Sequence, residues 1–277
     1  MPLLEVIILG LVQGLTEFLP VSSTAHLALV PWLFHWQDPG LGFDIALHVG
    51  TLAAIIIYFF RTWVQIILQG FGIKVDGDPE LQQNKMLLWL MAIATLPVGI
   101  FGYIFKEQAE TTWRNPMVIA SMMIGVGIIL WICDRIGNRR KNLGQITTAD
   151  AILIGLAQAV SIVPGTSRSG ATISAGLWRN LDRASAARFS FLLSTPAIAA
   201  AAAKDFYDIH KHQGGIPPEM HMPFIVGILV SGVSGLAVIH FFLEFLRRRS
   251  MNVFVVYRIV FGIIIIALAH FYRYSGG

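Results

Sequence analysis

Six apolar runs leave this chain little choice of surroundings, because each has about the 20 residues that a helix needs to cross a hydrocarbon core. They cover 43–60, 86–105, 116–134, 185–204, 223–245 and 251–272. Two more apolar segments, 3–34 and 149–178, are interrupted near their middles, by Pro20-Val-Ser-Ser-Thr and by Pro164-Gly-Thr-Ser-Arg-Ser-Gly. Each half of such a segment is too short to span alone, so each segment is drawn as a re-entrant helical hairpin. Non-helical backbone at membrane depth survives only when buried in protein or lining a wet cavity. Both tips are therefore expected to face inward.

Composition agrees. Charged residues make up 13% of the chain and hydrophobic ones 55%, whereas a soluble domain carries about 25% charged residues. The expected fold is an all-α polytopic membrane protein with six transmembrane helices and two re-entrant hairpins in one integral membrane domain, 1–277. The N-terminus lacks a basic region and a small-residue cleavage site, so its first apolar stretch is expected to belong to the mature protein. Cys133 stands alone, which excludes a disulfide framework or a cysteine metal site. The net charge of +4 does not point to nucleic acid, because the basic residues sit in short loops between spans.

Those loops set an orientation. Twelve cations (Arg61, Lys74, Lys85, Arg135, Arg139, Arg140, Lys141, Arg179, Arg183 and Arg247 to Arg249) fall on one face. Five (Lys106, Arg114, Lys204, Lys211, Arg273) fall on the other. The richer face is assigned to the cytoplasm. Both termini are then expected outside, with the first hairpin entering from outside and the second from the cytoplasm.

The two halves of the chain, about 1–134 and 149–272, also resemble each other. Gly10-Leu-Val-Gln13 matches Gly155-Leu-Ala-Gln158 at an offset of 145. Pro20/Pro164, Ser23/Ser167 and Thr51-Leu-Ala53/Thr195-Pro-Ala197 match at 144, a one-residue slip. A hairpin plus three spans per half inverts the second half relative to the first. Inverted repeats place a shared site near the midplane, where broken helices meet.

Ionisable groups inside apolar sequence are costly and point to function. Glu17 lies four residues after Gln13, on the same helix face. Its carboxylate is suited either to a hard cation such as Mg²⁺ or Ca²⁺ or to orienting a catalytic histidine. Ser22, Ser23, Thr24 and His26 follow Pro20; one hydroxyl is explained by capping a restarting helix, whereas the cluster with His26 suits nucleophilic chemistry. Arg168, within Thr166-Ser167-Arg168-Ser169-Gly170 and followed by Thr172, has the makings of an anion cradle: glycine-freed N–H groups, a helix N-terminus and a planar guanidinium. The spacing is not that of a P-loop. Arg258 is a second intramembrane cation expected to reach the same anion, while Arg188, near a span start, ranks lower. Asp44 and His48 read either as facing the external mouth or as simple interfacial residues. An acid, a Ser/His pair and one or two arginines beside an apolar groove suit a lipid phosphate or pyrophosphate, since phosphoryl transfer is chiefly positioning and charge stabilisation.

Gln13-Gly-Leu-Thr-Glu17-Phe-Leu-Pro20-Val-Ser22-Ser23-Thr24-Ala25-His26 and Pro164-Gly165-Thr166-Ser167-Arg168-Ser169-Gly170-Ala171-Thr172 resemble the signature motifs of the undecaprenyl-diphosphate phosphatase family of the bacitracin-resistance type. The resemblance covers essentially the whole chain. It implies hydrolysis of undecaprenyl pyrophosphate to undecaprenyl phosphate and inorganic phosphate, recycling of the lipid carrier for peptidoglycan, bacitracin resistance, a bacterial inner-membrane location, a site open to the outer face, dependence on a divalent cation (Mg²⁺ or Ca²⁺), and a homodimer. On matching positions it gives Glu17 to metal binding or proton transfer, and Ser23 or His26 to nucleophilic attack, with Ser23 preferred. It gives Arg168 to the pyrophosphate, with Ser167, Ser169 and Thr172 donating hydrogen bonds. Gln13, Ser22, Thr24 and Arg258 complete the candidate substrate-binding set. Two departures stand out: Gln13 where many relatives carry a second glutamate, and Ala25 where glycine is usual. The rival readings are a secondary transporter or lipid-phosphate flippase, which share the broken-helix architecture, and a structural or insertase-like protein, which has no use for Glu17, His26 and Arg168 together.

Overall fold

The computed structural model describes residues 1–275 apart from Asp38 and Gly214. The side chain of Arg273 lies outside that description. Among the described residues thirteen α-helices follow one another: α1 (Leu3–Thr16), α2 (Ser23–Phe34), α3 (Leu41–Tyr58), α4 (Phe60–Gly70), α5 (Pro79–Gln82), α6 (Leu87–Ile104), α7 (Lys106–Glu110), α8 (Pro116–Ile136), α9 (Thr148–Val160), α10 (Arg168–Trp178), α11 (Arg183–Gln213), α12 (His221–Arg248) and α13 (Asn252–Ser275). Lys141 and Leu181 form an isolated parallel bridge, the β pairing present among the described residues. Among the described residues five helices (α6, α8 and α11 to α13) are long and apolar enough to cross a membrane, or six if the bent pair α3–α4 counts as one span. The protein is a multi-pass membrane protein.

One span differs from its sequence reading. The run 43–60 does not end at a loop; at Phe59 the chain turns by 75° and continues as α4. The continuation escaped the hydropathy pattern because its polar residues point inward. Gln65 and Gln69 are buried, and the Gln65 amide donates to Asp78 O at 3.0 Å and accepts from Asp78 N at 2.8 Å. Phe60, Val64, Ile67 and Phe71 point outward instead. This is the inside-out distribution expected where the solvent is lipid.

The two interrupted segments do break where proline stands. Pro20 has no N–H to continue the helical ladder, and α1 stops at Thr16, whose hydroxyl donates back to Val12 O at 2.6 Å. The restarts are alike in a specific way. Ser22, at φ 73°, caps α2, and Ser167, at φ 69°, caps α10. Both lie in a backbone region that non-glycine residues rarely adopt. Ser22 Oγ accepts from Ala25 N, and Ser167 Oγ accepts from Gly170 N. Cap geometry therefore pairs Ser22 with Ser167, not Ser23 with Ser167, and carries the 145-residue register of Gln13 and Gln158 through the break.

Packing between the halves is reciprocal. α1 lies against α12 of the second half, and α9 lies against α6 of the first. Helices in lipid gain little from apolar burial against each other, so close backbone approach matters more. A Cβ at Gly14 would run into Ser231 O and Ser234 Oγ of α12. A Cβ at Gly155 would run into Ala94 O of α6.

At the end of the bundle away from the breaks, buried carboxylates pin the termini of helices. Asp134 takes Arg183 Nε at 2.6 Å and Nη2 at 2.9 Å. Asp150 takes Arg179 Nε at 2.6 Å and Lys141 Nζ at 3.0 Å. Arg188, ranked low above, is spent on Asp78 at 2.7 Å and Glu80 at 3.3 Å.

Candidate active site

The two breaks meet at Glu17, the residue that follows α1. Its N–H still donates to Gln13 O at 2.9 Å, which keeps the Gln13 and Glu17 side chains on one face. Glu17 Oε1 accepts from Arg168 Nη2 at 2.8 Å. Glu17 Oε2 accepts from Ser23 Oγ at 2.5 Å and from Gln13 Nε2 at 3.2 Å. His48 Nε2 stands 3.5 Å from that same Oε2. Ser23 opens α2 and Arg168 opens α10, so two helix N-termini direct their positive ends at the carboxylate.

Arg168 is held from a second side, Nη1 donating to Ser190 O at 2.8 Å. Its fork bridges an acid and a carbonyl, a task for a planar guanidinium. Other hydroxyls of the second motif serve the scaffold. Ser169 Oγ donates to Leu19 O at 2.9 Å, tying one break to the other. Thr172 Oγ1 donates to Arg168 O and lies 2.7 Å from Ser190 Oγ. Ser167 Oγ lies 3.1 Å from Ser169 Oγ, and Ser22 Oγ lies 3.2 Å from Thr24 Oγ1.

Two expectations change. Arg258 does not reach toward an anion. It is fully buried, and all three nitrogens are occupied by backbone carbonyls: Nε by Met123, Nη1 by Pro20, and Nη2 by Met122, Gly165 and Thr166. It is a staple that satisfies the Pro20, Gly165 and Thr166 carbonyls exposed where the helices break and ties them to Met122 and Met123 inside α8, which explains a cation at this depth. Nor does His26 pair with Ser23. Its Nδ1 is bonded to Ser22 O at 2.7 Å, its Nε2 to Tyr257 OH at 2.6 Å, and its ring stacks on Phe261 with centroids 4.8 Å apart. Ser23 has turned to the acid instead.

A cavity of about 380 Å³ opens beside this centre. Its apolar wall includes Leu27, Ile45, Ile162 and Ile198, and its polar wall includes Thr24, Asp44, His48, Lys106 and Arg114. Arg114 Nη2 lies 3.8 Å from Asp44 Oδ2. The volume suits a ligand pocket. Lys106 and Arg114 were counted above only as orientation signals, and His48 was left between two readings. The clue to His48 was its depth: an imidazole one turn past Asp44, well inside an apolar span. Tyr257 carried no such signal, since a tyrosine beside Arg258 reads as an ordinary lipid-facing ring.

The donor set does not make a metal centre by itself. Among the described residues no group of three or more His, Cys, Asp or Glu is placed to hold a metal ion, and both Glu17 oxygens already have partners. Gln13 Oε1 is buried with no hydrogen-bond partner, an acceptor free for water or ligand.

The model of the family described as "Bacitracin resistance protein BacA" matches residues 6–264. The chain belongs to the BacA family. Among its relatives, an "Undecaprenyl-diphosphatase" of Moorella thermoacetica is 44% identical over 268 residues, covering 97% of this chain and 98% of the relative. One from Gemmatimonas aurantiaca is 45% identical over 263 residues, covering 95% and 96%. One from Desulforudis audaxviator is 43% identical over 265 residues, covering 96% and 97%. Membership in the BacA family thus spans both motifs and the whole set of elements around them.

Proposed function

We propose that this chain is an undecaprenyl-diphosphatase that hydrolyses undecaprenyl pyrophosphate to undecaprenyl phosphate and inorganic phosphate. The observation that carries the reading is one carboxylate shared by a hydroxyl and a guanidinium: Glu17 with Ser23 at 2.5 Å and Arg168 at 2.8 Å. Ser23 is the nucleophile in this reading. Its Oγ bonds to the terminal phosphorus and passes its proton to Glu17 Oε2, the anhydride P–O bond breaks, and the lipid monophosphate leaves. Water then cleaves the phosphoserine and releases phosphate. Arg168 turns from Glu17 to the phosphoryl oxygens, with the N-termini of α2 and α10 adding to the positive field. The apolar wall of the cavity takes the start of the lipid tail.

A divalent cation enters the proposal as a passenger of the substrate, held by diphosphate oxygens whose charge it would neutralise. The same reading takes the shared cap geometry and the reciprocal α1–α12 and α9–α6 packing as support for inverted repeats with two re-entrant hairpins. It places the protein in the bacterial inner membrane, with both termini and the cavity mouth at Lys106 and Arg114 on the outer side. Recycling of the lipid carrier for peptidoglycan, bacitracin resistance and a homodimer complete it.

Phosphate release from undecaprenyl pyrophosphate by the purified protein tests the reading. Wild-type protein is expected to release one phosphate per lipid. Glu17→Gln should lose about 10²- to 10⁴-fold, the usual worth of a positioned base, and Ser23→Ala at least as much. Wild-type turnover in Ser23→Ala would remove Ser23 as nucleophile. Lipid movement without phosphate release would favour the flippase.

A further inference from the structure

We infer that His48 is an imidazole that works in the reaction, relaying the proton of Ser23 from Glu17 to the cavity. This rests on the diphosphatase reading and deepens it.

The two histidines, His26 and His48, are anchored in the same way but differ in what their far nitrogen meets. His26 Nδ1 is bonded to Ser22 O, four residues back, and His48 Nδ1 is bonded to Asp44 O, four residues back, each at 2.7 Å. A carbonyl oxygen only accepts, so both Nδ1 atoms carry the proton, and in a neutral ring each Nε2 presents a lone pair. The lone pair of His26 is taken by the Tyr257 hydroxyl at 2.6 Å, and the ring is closed in by Tyr257 and Phe261. The lone pair of His48 faces Glu17 Oε2, 3.5 Å away, the very oxygen that holds the Ser23 hydroxyl. His48 also lines the cavity and keeps 21% of its side chain exposed, so it has an outlet that His26 lacks. At rest no proton lies between His48 Nε2 and Glu17 Oε2; the contact becomes a hydrogen bond once Glu17 takes the Ser23 proton, and contacts between catalytic groups often tighten with substrate.

The proton count closes. As Ser23 Oγ bonds to phosphorus and the anhydride bond breaks, the hydroxyl proton moves to Glu17 Oε2 and from there to His48 Nε2. Glu17 is an anion again, facing Arg168, before water arrives. When water attacks the phosphoserine, its oxygen stays on the phosphate, one proton returns to Ser23 Oγ, and the proton on His48 leaves through the cavity.

Substitutions at His48 separate this role from a structural one. An asparagine retains a donor near the Nδ1 position for Asp44 O but has nothing at Nε2. Purified His48→Ala, His48→Asn and His26→Ala are assayed for phosphate release from undecaprenyl pyrophosphate, with and without added imidazole. Both His48 variants are expected to lose about 10²-fold or more in kcat with KM little changed. Imidazole, entering the space vacated beside the cavity, should restore His48→Ala at least tenfold but leave His26→Ala unimproved. Wild-type kcat in His48→Asn would make His48 an anchor and overturn the relay. A folded His48→Ala that ignores imidazole would overturn it too. If His48→Ala does not fold, His48→Asn alone decides. Absence of phosphate release from the wild-type protein would strike the diphosphatase reading itself, a result distinguishable from either.

Discussion

Glu17 and Arg168 are 151 positions apart in the chain and 2.8 Å apart in space, one from each proline break. Each is costly at this depth without the other. Buried pairs of this kind contribute little net stability, yet removing one partner strands a charge, at a cost of about 3–5 kcal/mol. The pair thus holds the two breaks together while a phosphoryl group is absent and gives up its guanidinium when one arrives.

Arg168→Ala should therefore fail twice. Turnover should fall by about 10³-fold or more, the usual worth of an arginine in phosphoryl transfer, and the thermal midpoint in detergent should fall as Glu17 loses its partner. Arg168→Lys keeps the charge but not the fork that also reaches Ser190 O. It should recover stability ahead of activity. Phosphate release and thermal unfolding on the same preparations check both; an Arg168→Lys variant as active as wild type would show that the fork is dispensable.

Tyr257→Phe keeps the ring against His26 and Phe261 but removes the hydroxyl from His26 Nε2. It should cost about 1 kcal/mol of stability and retain most turnover. His26→Ala empties the stack and frees Ser22 O, so it should lower the thermal midpoint further. A Tyr257→Phe protein as inactive as Ser23→Ala would place His26 in the chemistry after all.

Arg258→Met removes a staple without touching the cavity. The break carbonyls of Pro20, Gly165 and Thr166 that it leaves unpaired cost about 1–3 kcal/mol each, so little folded protein should be recovered by size-exclusion chromatography. Arg258→Lys cannot reach carbonyls on three segments and should not rescue. Normal yield with lost turnover would instead return Arg258 to substrate binding.

Gly155→Val forces a side chain into Ala94 O, and Gly14→Val does the same at Ser231 O. Each is expected to cost about 1–3 kcal/mol or more through overpacking, read as lower thermal midpoints. Equal effects would support equivalence of the two interfaces; a silent Gly155→Val would argue against tight α9–α6 contact.

The breaks, the five long spans and the meeting of Glu17 with Arg168 were legible because proline and charge inside apolar sequence are local signals. The fate of each polar group was not. Arg258 and Arg168 look alike in sequence, both intramembrane cations, and only the placement of carbonyls tells a staple from a ligand for the acid. Ser23 and His26 sit three apart, which suggested a pair, but the positive φ at Ser22 swings His26 onto the carbonyl of Ser22 and Ser23 onto Glu17. The α4 continuation was hidden for the opposite reason: its glutamines face the protein, so its amphipathicity is inverted.

The crossed packing of α1 on α12 also sets an order of events at the ribosome. The broken N-terminal segment is made first, yet the surface that receives Gly14 belongs to almost the last helix synthesised. Until then, the first break must wait in the bilayer without the close-fitting neighbour that α1 packs against. Half-made chains should therefore be frequent targets of membrane proteases, and the two halves expressed as separate polypeptides should be recovered only when produced together.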